Sequence, residues 1–155
     1  MKIKTKSLGE IEIQETEILT VVDGIFGFPE LTKYVLLMKD EEAPFAWLQS
    51  VEDSNLAFII IDPHLFRLNY RLKVGLEFLK KVEAQNNNEV ISYAIVVIPE
   101  NNPQMMTANL QGPVIINPKK ALACQAISEI PEYTVKHYIM EEFKEKQLKE
   151  KEGKN

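Results

Sequence analysis

The residues of this chain that are best suited to chemistry are two histidines and one cysteine, and they are far apart in the sequence. Asp62 and His64 could form an acid–base pair, but the proline between them favours a turn with a capping or surface role. His137 lies beside a tyrosine in a strand-like segment, and we expect it to be a half-buried structural residue. Cys124 lies among small and apolar residues, where a free cysteine typically packs as a buried hydrophobe. A small hydrolase that uses Asp62 and His64 stays open as an alternative.

Metal, nucleotide and nucleic-acid sites have less support in the sequence. A zinc site needs several ligands at characteristic spacings, which one cysteine and two distant histidines do not supply, so we predict no metal. The six glycines are scattered rather than gathered in a phosphate-binding loop, so we predict no nucleotide cofactor. Basic and aromatic residues alternate near the start of the segment 67–81, and such a mixture can stack on bases. A small RNA-binding domain that uses this segment is a second alternative.

The composition indicates one domain from a reducing compartment. A chain of 155 residues has the size of a single domain, and its one cysteine excludes an intramolecular disulfide framework. The N-terminus alternates apolar and charged residues and lacks the apolar stretch of a secretion signal. No apolar run approaches the roughly 20 residues of a membrane helix. We therefore expect a cytoplasmic protein that does not bind membranes.

The net charge of −5 is unevenly distributed along the chain. Residues 23–62 contain eight acidic residues and two lysines, whereas residues 63–82 contain five basic residues and one glutamate. An acidic surface repels phosphate backbones and attracts basic partners. The distribution therefore favours a basic protein partner over direct nucleic-acid binding, unless the acidic residues only keep the surface solvated.

The spacing of apolar residues predicts many strands and one short helix that together position these side chains. The stretch 44–63 is typical of a hairpin, with two strands around a polar turn and the lone Trp47 in the core. Leucine and valine recur at helical spacing in 72–82. Further strands are predicted around Ile3 and at 9–14, 18–22, 34–38, 90–98, 106–110, 114–117, 121–127 and 133–139.

These elements predict a mostly β fold. Many short strands separated by turn residues are typical of a small antiparallel β-barrel-like single domain, which we expect to span residues 1–140. The tail 141–155 contains five lysines and five glutamates and little apolar surface. We expect this charged tail to be either a solvated helix or disordered.

Three segments of the sequence, taken in order, carry a family resemblance. They are Asp23-Gly-Ile-Phe-Gly-Phe-Pro-Glu-Leu31, the hairpin 44–63, and the stretch from Val97-Ile-Pro-Glu100 to Met106-Thr-Ala-Asn-Leu-Gln-Gly-Pro-Val-Ile-Ile-Asn-Pro118. Their order and spacing resemble the flagellar assembly factor FliW family over most of residues 1–140. The chain departs from the family pattern at 66–85, where relatives tend to be acidic and this sequence is basic.

The resemblance implies a β-barrel-like protein without catalytic activity or cofactor. Members of the family bind flagellin in the cytoplasm. When flagellin has been exported, the freed factor binds the RNA-binding translational repressor CsrA and relieves repression of flagellin synthesis. The resemblance therefore implies flagellin and CsrA as partners of this chain.

Charge and hydrophobicity indicate which side chains would contact these two partners. A repressor that binds RNA carries basic surface, so we expect it to meet the acidic residues of 40–53, which are Asp40, Glu41, Glu42, Glu52 and Asp53 beside Phe45. Flagellin has apolar terminal helices, which would fit an exposed apolar groove. The candidates for that groove are Phe26, Phe28, Phe45, Met105 and Met106.

Overall fold

The computed structural model describes residues 1–153 and consists mainly of β-strands. An N-terminal hairpin is formed by β1 (Lys2–Thr5) and β2 (Gly9–Glu12). The main sheet contains β3 (Ile18–Val21), β4 (Lys33–Met38), β5 (Ala46–Ser50), β6 (Ala57–Ile61), β7 (Ile91–Val97), β8 (Thr107–Asn117), β9 (Leu122–Gln125) and β10 (His137–Tyr138). The two α-helices are α1 (Leu76–Lys81) and α2 (Ile139–Glu152).

Seven strands of the main sheet close into a barrel. The strands β3 to β8 pair in sequence order, each antiparallel to the next. The strand β9 then pairs antiparallel with β8 and parallel with β3, which joins the two ends of the sheet. The short β10 pairs with the first two residues of β8, on the same edge as β9 and away from β7. The predicted mostly β, barrel-like single domain is confirmed.

The barrel interior is a packed hydrophobic core. Successive side chains of a strand point to opposite faces, so one half of each strand's residues faces inward. The buried residues of the interior are Val21, Ile25, Tyr34, Ala46, Leu48, Ile60, Val114, Ile116 and Ala123. Because these side chains fill the barrel, partner-binding surfaces have to be sought on its outer face and in its loops.

Three elements cover parts of the outer face. The N-terminal hairpin packs Ile3 against β4. The helix α1 packs Leu79 against β8 and β9. The start of α2 packs Ile139 against β7 and β8. Between the hairpin and α2, the outer faces of β5 and β6 carry Trp47 and Ile59, which are only half-buried.

The structure joins the two strands predicted on either side of Gln111-Gly-Pro113 into one. The strands predicted at 106–110 and 114–117 are one continuous strand, β8, with an irregular register opposite Tyr93 and Ile95. The Asn109 side chain accepts a hydrogen bond from the Gly112 N–H at 2.8 Å. Proline lacks a donor for the sheet and is tolerated at such a bulge.

Three other predicted boundaries also change. The strand predicted at 133–139 is reduced to β10, because α2 begins at Ile139. The helix predicted at 72–82 is reduced to α1, since Val74 before it forms an extended bridge with Ser128. Of the two alternatives for the tail 141–155, the structure shows a helix to Glu152, and residues 154–155 lie outside the described part. Among the described residues no helix is long and apolar enough to cross a membrane.

Candidate partner-binding surface

A cleft on the outer face of the barrel brings together three of the predicted contact residues. Glu41 and Glu42 belong to the short 3₁₀ turn Asp40–Glu42 between β4 and β5, and Phe45 lies between this turn and the start of β5. The cleft has a volume of about 300 Å³, and the rest of its lining is Ala43, Trp47, Ile59 and Ile98. We call it the acidic cleft, because apolar side chains line it beside two carboxylates.

Trp47 lines the acidic cleft and also packs against the cluster that joins the N-terminal hairpin to β4. Its indole Nε1–H donates a hydrogen bond to Oε1 of Glu42 at 3.2 Å, and Nζ of Lys39 lies 3.4 Å from the same oxygen. The predicted core position of the tryptophan is met only in part, because its side chain packs against the cluster of Ile3, Val35 and Leu37 on the outer face of β5 and is half-buried. The Glu42 carboxylate is occupied within the chain, whereas Asp40 and Glu41 are exposed beside it.

The structure does not bring the other two predicted acidic residues to this cleft. Glu52 and Asp53 lie in the turn after β5, so about 13 Å of strand separates them from the turn before it. Oε1 of Glu52 accepts hydrogen bonds from the N–H groups of Thr32 and Lys33, both at 2.9 Å. Oδ1 of Asp53 accepts one from the N–H of Asn55 at 3.0 Å. The acidic segment 40–53 thus forms two separate surfaces, and the second one also holds turns together.

Phe26 and Phe28 lie in the loop between β3 and β4, which is fixed by hydrogen bonds. The Phe28 N–H donates to the Ile25 carbonyl at 2.7 Å, and the Phe26 N–H donates to Oε1 of the buried Gln125 at 2.9 Å. Phe26 is 57% exposed. Phe28 packs edge-on against Phe58, with 5.9 Å between the ring centroids. Only Phe26 is therefore presented to solvent, whereas Phe28 anchors the loop.

The two methionine candidates lie beside the start of α2. Met105 ends the 3₁₀ turn Pro103–Met105 and is exposed. Met106 is half-buried and packs against the cluster that contains Ile139. The carbonyl of Met106 accepts a hydrogen bond from the Ile139 N–H at 3.2 Å. The candidates for the predicted apolar groove thus lie in three places, which are the loop 22–32 that carries Phe26 (the Phe26 loop), the acidic cleft with Phe45, and the neighbourhood of α2.

The Asp62 and His64 pair has the geometry of a cap. Oδ1 of Asp62 accepts a hydrogen bond from the His64 N–H at 2.9 Å and lies 2.8 Å from Nδ1 of its ring. The His64 side chain is 62% exposed, and its ring meets the edge of Tyr70 with 5.0 Å between centroids. These contacts begin the short 3₁₀ turn Pro63–Leu65, in which Asp62 is the N-cap residue.

The remaining reactive side chains are structural. Cys124 is 1% exposed, and burial raises the pKa of its thiol to about 11, so the predicted core position is confirmed. His137 is more buried than predicted, with Nδ1 2.6 Å from Oε2 of Glu142. Within residues 1–153, no group of three or more histidine, cysteine or acidic side chains is placed to hold a metal ion.

The basic segment 67–81 is folded in a way that does not suit base stacking. Phe66 and Tyr70 are buried, and the ring of Tyr70 stacks on Tyr133 with 5.4 Å between centroids. Nη1 of Arg67 donates a hydrogen bond to Oε1 of Glu142 at 3.0 Å. The aromatic faces and the first basic side chain of the segment are therefore engaged within the protein.

The sequence and the fold both match one family of known proteins. The family model described as FliW protein matches residues 2–139. The chain belongs to the FliW family. The flagellar assembly factor FliW of Treponema denticola is 47% identical over 143 residues, which cover 92% of this chain and 96% of the relative. That of Alkaliphilus metalliredigens is 40% identical over 148 residues, which cover 95% of this chain and 91% of the relative.

A solved structure supports the same assignment at the level of the fold. The crystal structure of a flagellar assembly factor FliW superposes with a TM-score of 0.83 and 35% sequence identity. The superposition covers 90% of this chain and 96% of the FliW chain. The resemblance carried by the three sequence segments is therefore confirmed. FliW is a family of flagellar assembly factors and is not known as a family of enzymes.

Sequence reasoning missed two features of this FliW surface. The sequence predicts a core tryptophan but does not show that Trp47 also lines a cleft with Phe45, which lies just before β5. The contacts of Glu142 with Arg67 and His137 were not predicted. No local pattern could reveal the first of these contacts, because 75 positions separate Glu142 from Arg67.

Proposed function

We propose that this FliW-family protein acts in the cytoplasm by binding flagellin and, when free of flagellin, by binding and antagonising the translational repressor CsrA. Antagonism of CsrA would relieve repression of flagellin synthesis. Membership of the FliW family carries this proposal. It is supported by two exposed features that the barrel fold does not need, the acidic cleft and the Phe26 loop.

The acidic cleft is the surface that we propose for CsrA. Asp40 and Glu41 are exposed, and the carboxylate of Glu42 is held beside them by Trp47. An RNA-binding protein presents basic side chains, which this carboxylate rim attracts, while Phe45 and Trp47 offer apolar contact. Because exposed charges mainly raise the association rate and the specificity, this contact should weaken as the salt concentration rises.

The Phe26 loop is the surface that we propose for flagellin. Its hydrogen bonds to Ile25 and Gln125 hold the turn, so little conformational entropy is lost when the exposed ring enters an apolar site on a partner. Aromatic side chains are common among the residues that dominate binding energy. Met105, beside the start of α2, is a second exposed candidate for apolar contact.

The test compares two charge reversals of equal size. Asp40→Lys with Glu41→Lys changes the rim of the acidic cleft, and Glu129→Lys with Glu132→Lys changes exposed acids elsewhere. We expect the first pair to slow association with CsrA by about tenfold or more at low salt and to reduce its salt dependence. The second pair should change neither. Equal effects of both pairs on the association rate would show that the acidic cleft is not the CsrA surface.

A further inference from the structure

The helix α2 is attached to the barrel mainly through polar contacts. Of its fourteen residues only Ile139 is a buried residue. Glu142 and Lys146 follow at helical spacing on the same side, and Nζ of Lys146 reaches the Leu65 carbonyl at 3.4 Å. A helix of this length is marginal on its own in water, so its contacts with the barrel decide whether it stays docked.

The Glu142 carboxylate is the centre of these contacts. Its Oε1 accepts a hydrogen bond from Nη1 of Arg67 at 3.0 Å, and its Oε2 lies 2.6 Å from Nδ1 of His137. Nε2 of His137 accepts a hydrogen bond from the Thr134 N–H at 2.9 Å, so the ring proton belongs on Nδ1, facing Glu142. The Arg67 guanidinium lies 5.5 Å from the centroid of the Tyr133 ring. Glu145, Lys146 and Lys149 are the other charged residues that line the cleft between α2 and Arg67.

The docking site of α2 is continuous with the acidic cleft. Ile139 belongs to the same apolar cluster as Val96, and Phe45 and Ile59 pack against that cluster. Phe45 and Ile59 also line the acidic cleft, next to Trp47. A change in the position of α2 therefore reaches the cleft through side chains that touch one another.

We propose that α2 is an electrostatic latch. The Glu142 carboxylate keeps the helix docked on the barrel, which is the closed state. The helix can undock while the barrel stays folded, and this opening alters the acidic cleft. Local opening is favoured where few apolar contacts are lost, and α2 buries one apolar residue. The role of the latch in regulating CsrA rests on the proposed function. If CsrA binds in the cleft, its affinity and the docking of α2 are linked reciprocally.

The test uses Glu142→Gln in the full chain, with Glu141→Gln as the matched control. Both substitutions remove one negative charge from the first turn of α2, but Glu141 is exposed to solvent. Hydrogen bonds to a charged group contribute more to stability than neutral ones. We expect amide hydrogens of α2 to exchange about tenfold faster or more in Glu142→Gln and to be unchanged in Glu141→Gln. The amides of β4, β5 and β6 should stay far better protected than those of α2 in both variants, because the barrel remains folded when the helix opens.

Arg67→Gln and the double variant Arg67→Gln with Glu142→Gln test whether the contact between these two side chains is what holds α2, rather than a general loss of stability. If the contact between Arg67 and Glu142 holds α2 docked, the two substitutions remove the same interaction. The α2 amides of the double variant should then exchange about as fast as those of each single variant, and more slowly than the sum of the two separate effects. Quenching of Trp47 fluorescence by acrylamide reports on the cleft, and it should change in Glu142→Gln but not in Glu141→Gln.

Three outcomes would contradict the latch, its connection to the acidic cleft, or the proposed function. Unchanged exchange of α2 in Glu142→Gln would overturn the latch. Faster exchange with unchanged Trp47 quenching would overturn its connection to the acidic cleft. A wild-type protein that does not bind CsrA would overturn the proposed function, whereas the hydrogen-exchange result would still decide the latch.

Discussion

Gly24 is the position where a single added carbon should be most damaging to the Phe26 loop. Its φ of +68° lies in the left-handed region, and its surroundings are backbone atoms. A Cβ at this position would overlap the carbonyl oxygen of Phe28 and would lie 2.8 Å from Cα of Pro29 and 3.0 Å from the carbonyl oxygen of Leu31. Backbone atoms cannot rotate away as a flexible side chain does, so Gly24→Ala has to move the loop.

Gly9 provides a control with nearly the same backbone conformation. Its φ is +67°, but no atom lies within 4 Å of the position that its Cβ would occupy. The left-handed conformation costs an alanine about 1–2 kcal/mol at either position. Steric overlap at Gly24 adds about 1–3 kcal/mol, by analogy with overpacked cores. Gly24→Ala should therefore lower the free energy of unfolding by about 1–3 kcal/mol more than Gly9→Ala.

Equilibrium unfolding in urea, followed by the fluorescence of Trp47, measures this difference. We expect both variants to keep the wild-type dependence on urea concentration, with Gly24→Ala unfolding at the lower midpoint. Equal midpoints for the two variants would refute the reasoning, because they would mean that the conformation alone decides the cost and that the crowding around Gly24 relaxes freely.

Two further predictions concern buried polar groups. The Tyr34 hydroxyl is buried and has no hydrogen-bond partner among residues 1–153, so Tyr34→Phe should leave the free energy of unfolding unchanged or raise it by about 1 kcal/mol; a marked loss of stability in urea unfolding would contradict this. Burial opposes ionisation of Glu142, but hydrogen bonds from His137 and Arg67 outweigh it and lower the pKa of this carboxyl. Its stabilising contribution is therefore present at neutral pH and lost as the pH falls through the lowered pKa. The wild type should be more stable than Glu142→Gln at neutral pH and lose this advantage in acid, and a pH-independent difference would count against the prediction.

The sequence was sufficient for the architecture because strands leave a local signal. The two apolar stretches around a polar turn in 44–63 predicted the β5–β6 hairpin, and the apolar run before Pro99 predicted β7. Barrel closure was also expected from the number of short strands. The barrel is completed by the parallel pairing of β3 with β9. This pairing joins residues about a hundred positions apart, and no pattern within either strand indicates it.

The candidate surface was less predictable than the fold, because residues share a surface only when their loops lie at the same end of the strands. Glu42 and Glu52 are close in sequence, yet β5 holds them at its opposite ends. Charge counting along the sequence merged them into one surface. In the same way, the local turn signal of Gln111-Gly-Pro113 was overridden by the side chains of Asn109 and Gln125, which bond the Gly112 backbone within β8.

The measurement that tests the central claim most directly is a competition between the two proposed partners. The purified protein would be titrated with CsrA from its own host, first alone and then after saturation with flagellin. We predict that CsrA binds the free protein and that flagellin strongly reduces this binding, as a partner switch requires. Failure of the free protein to bind CsrA, or CsrA binding that flagellin leaves unchanged, would contradict the account.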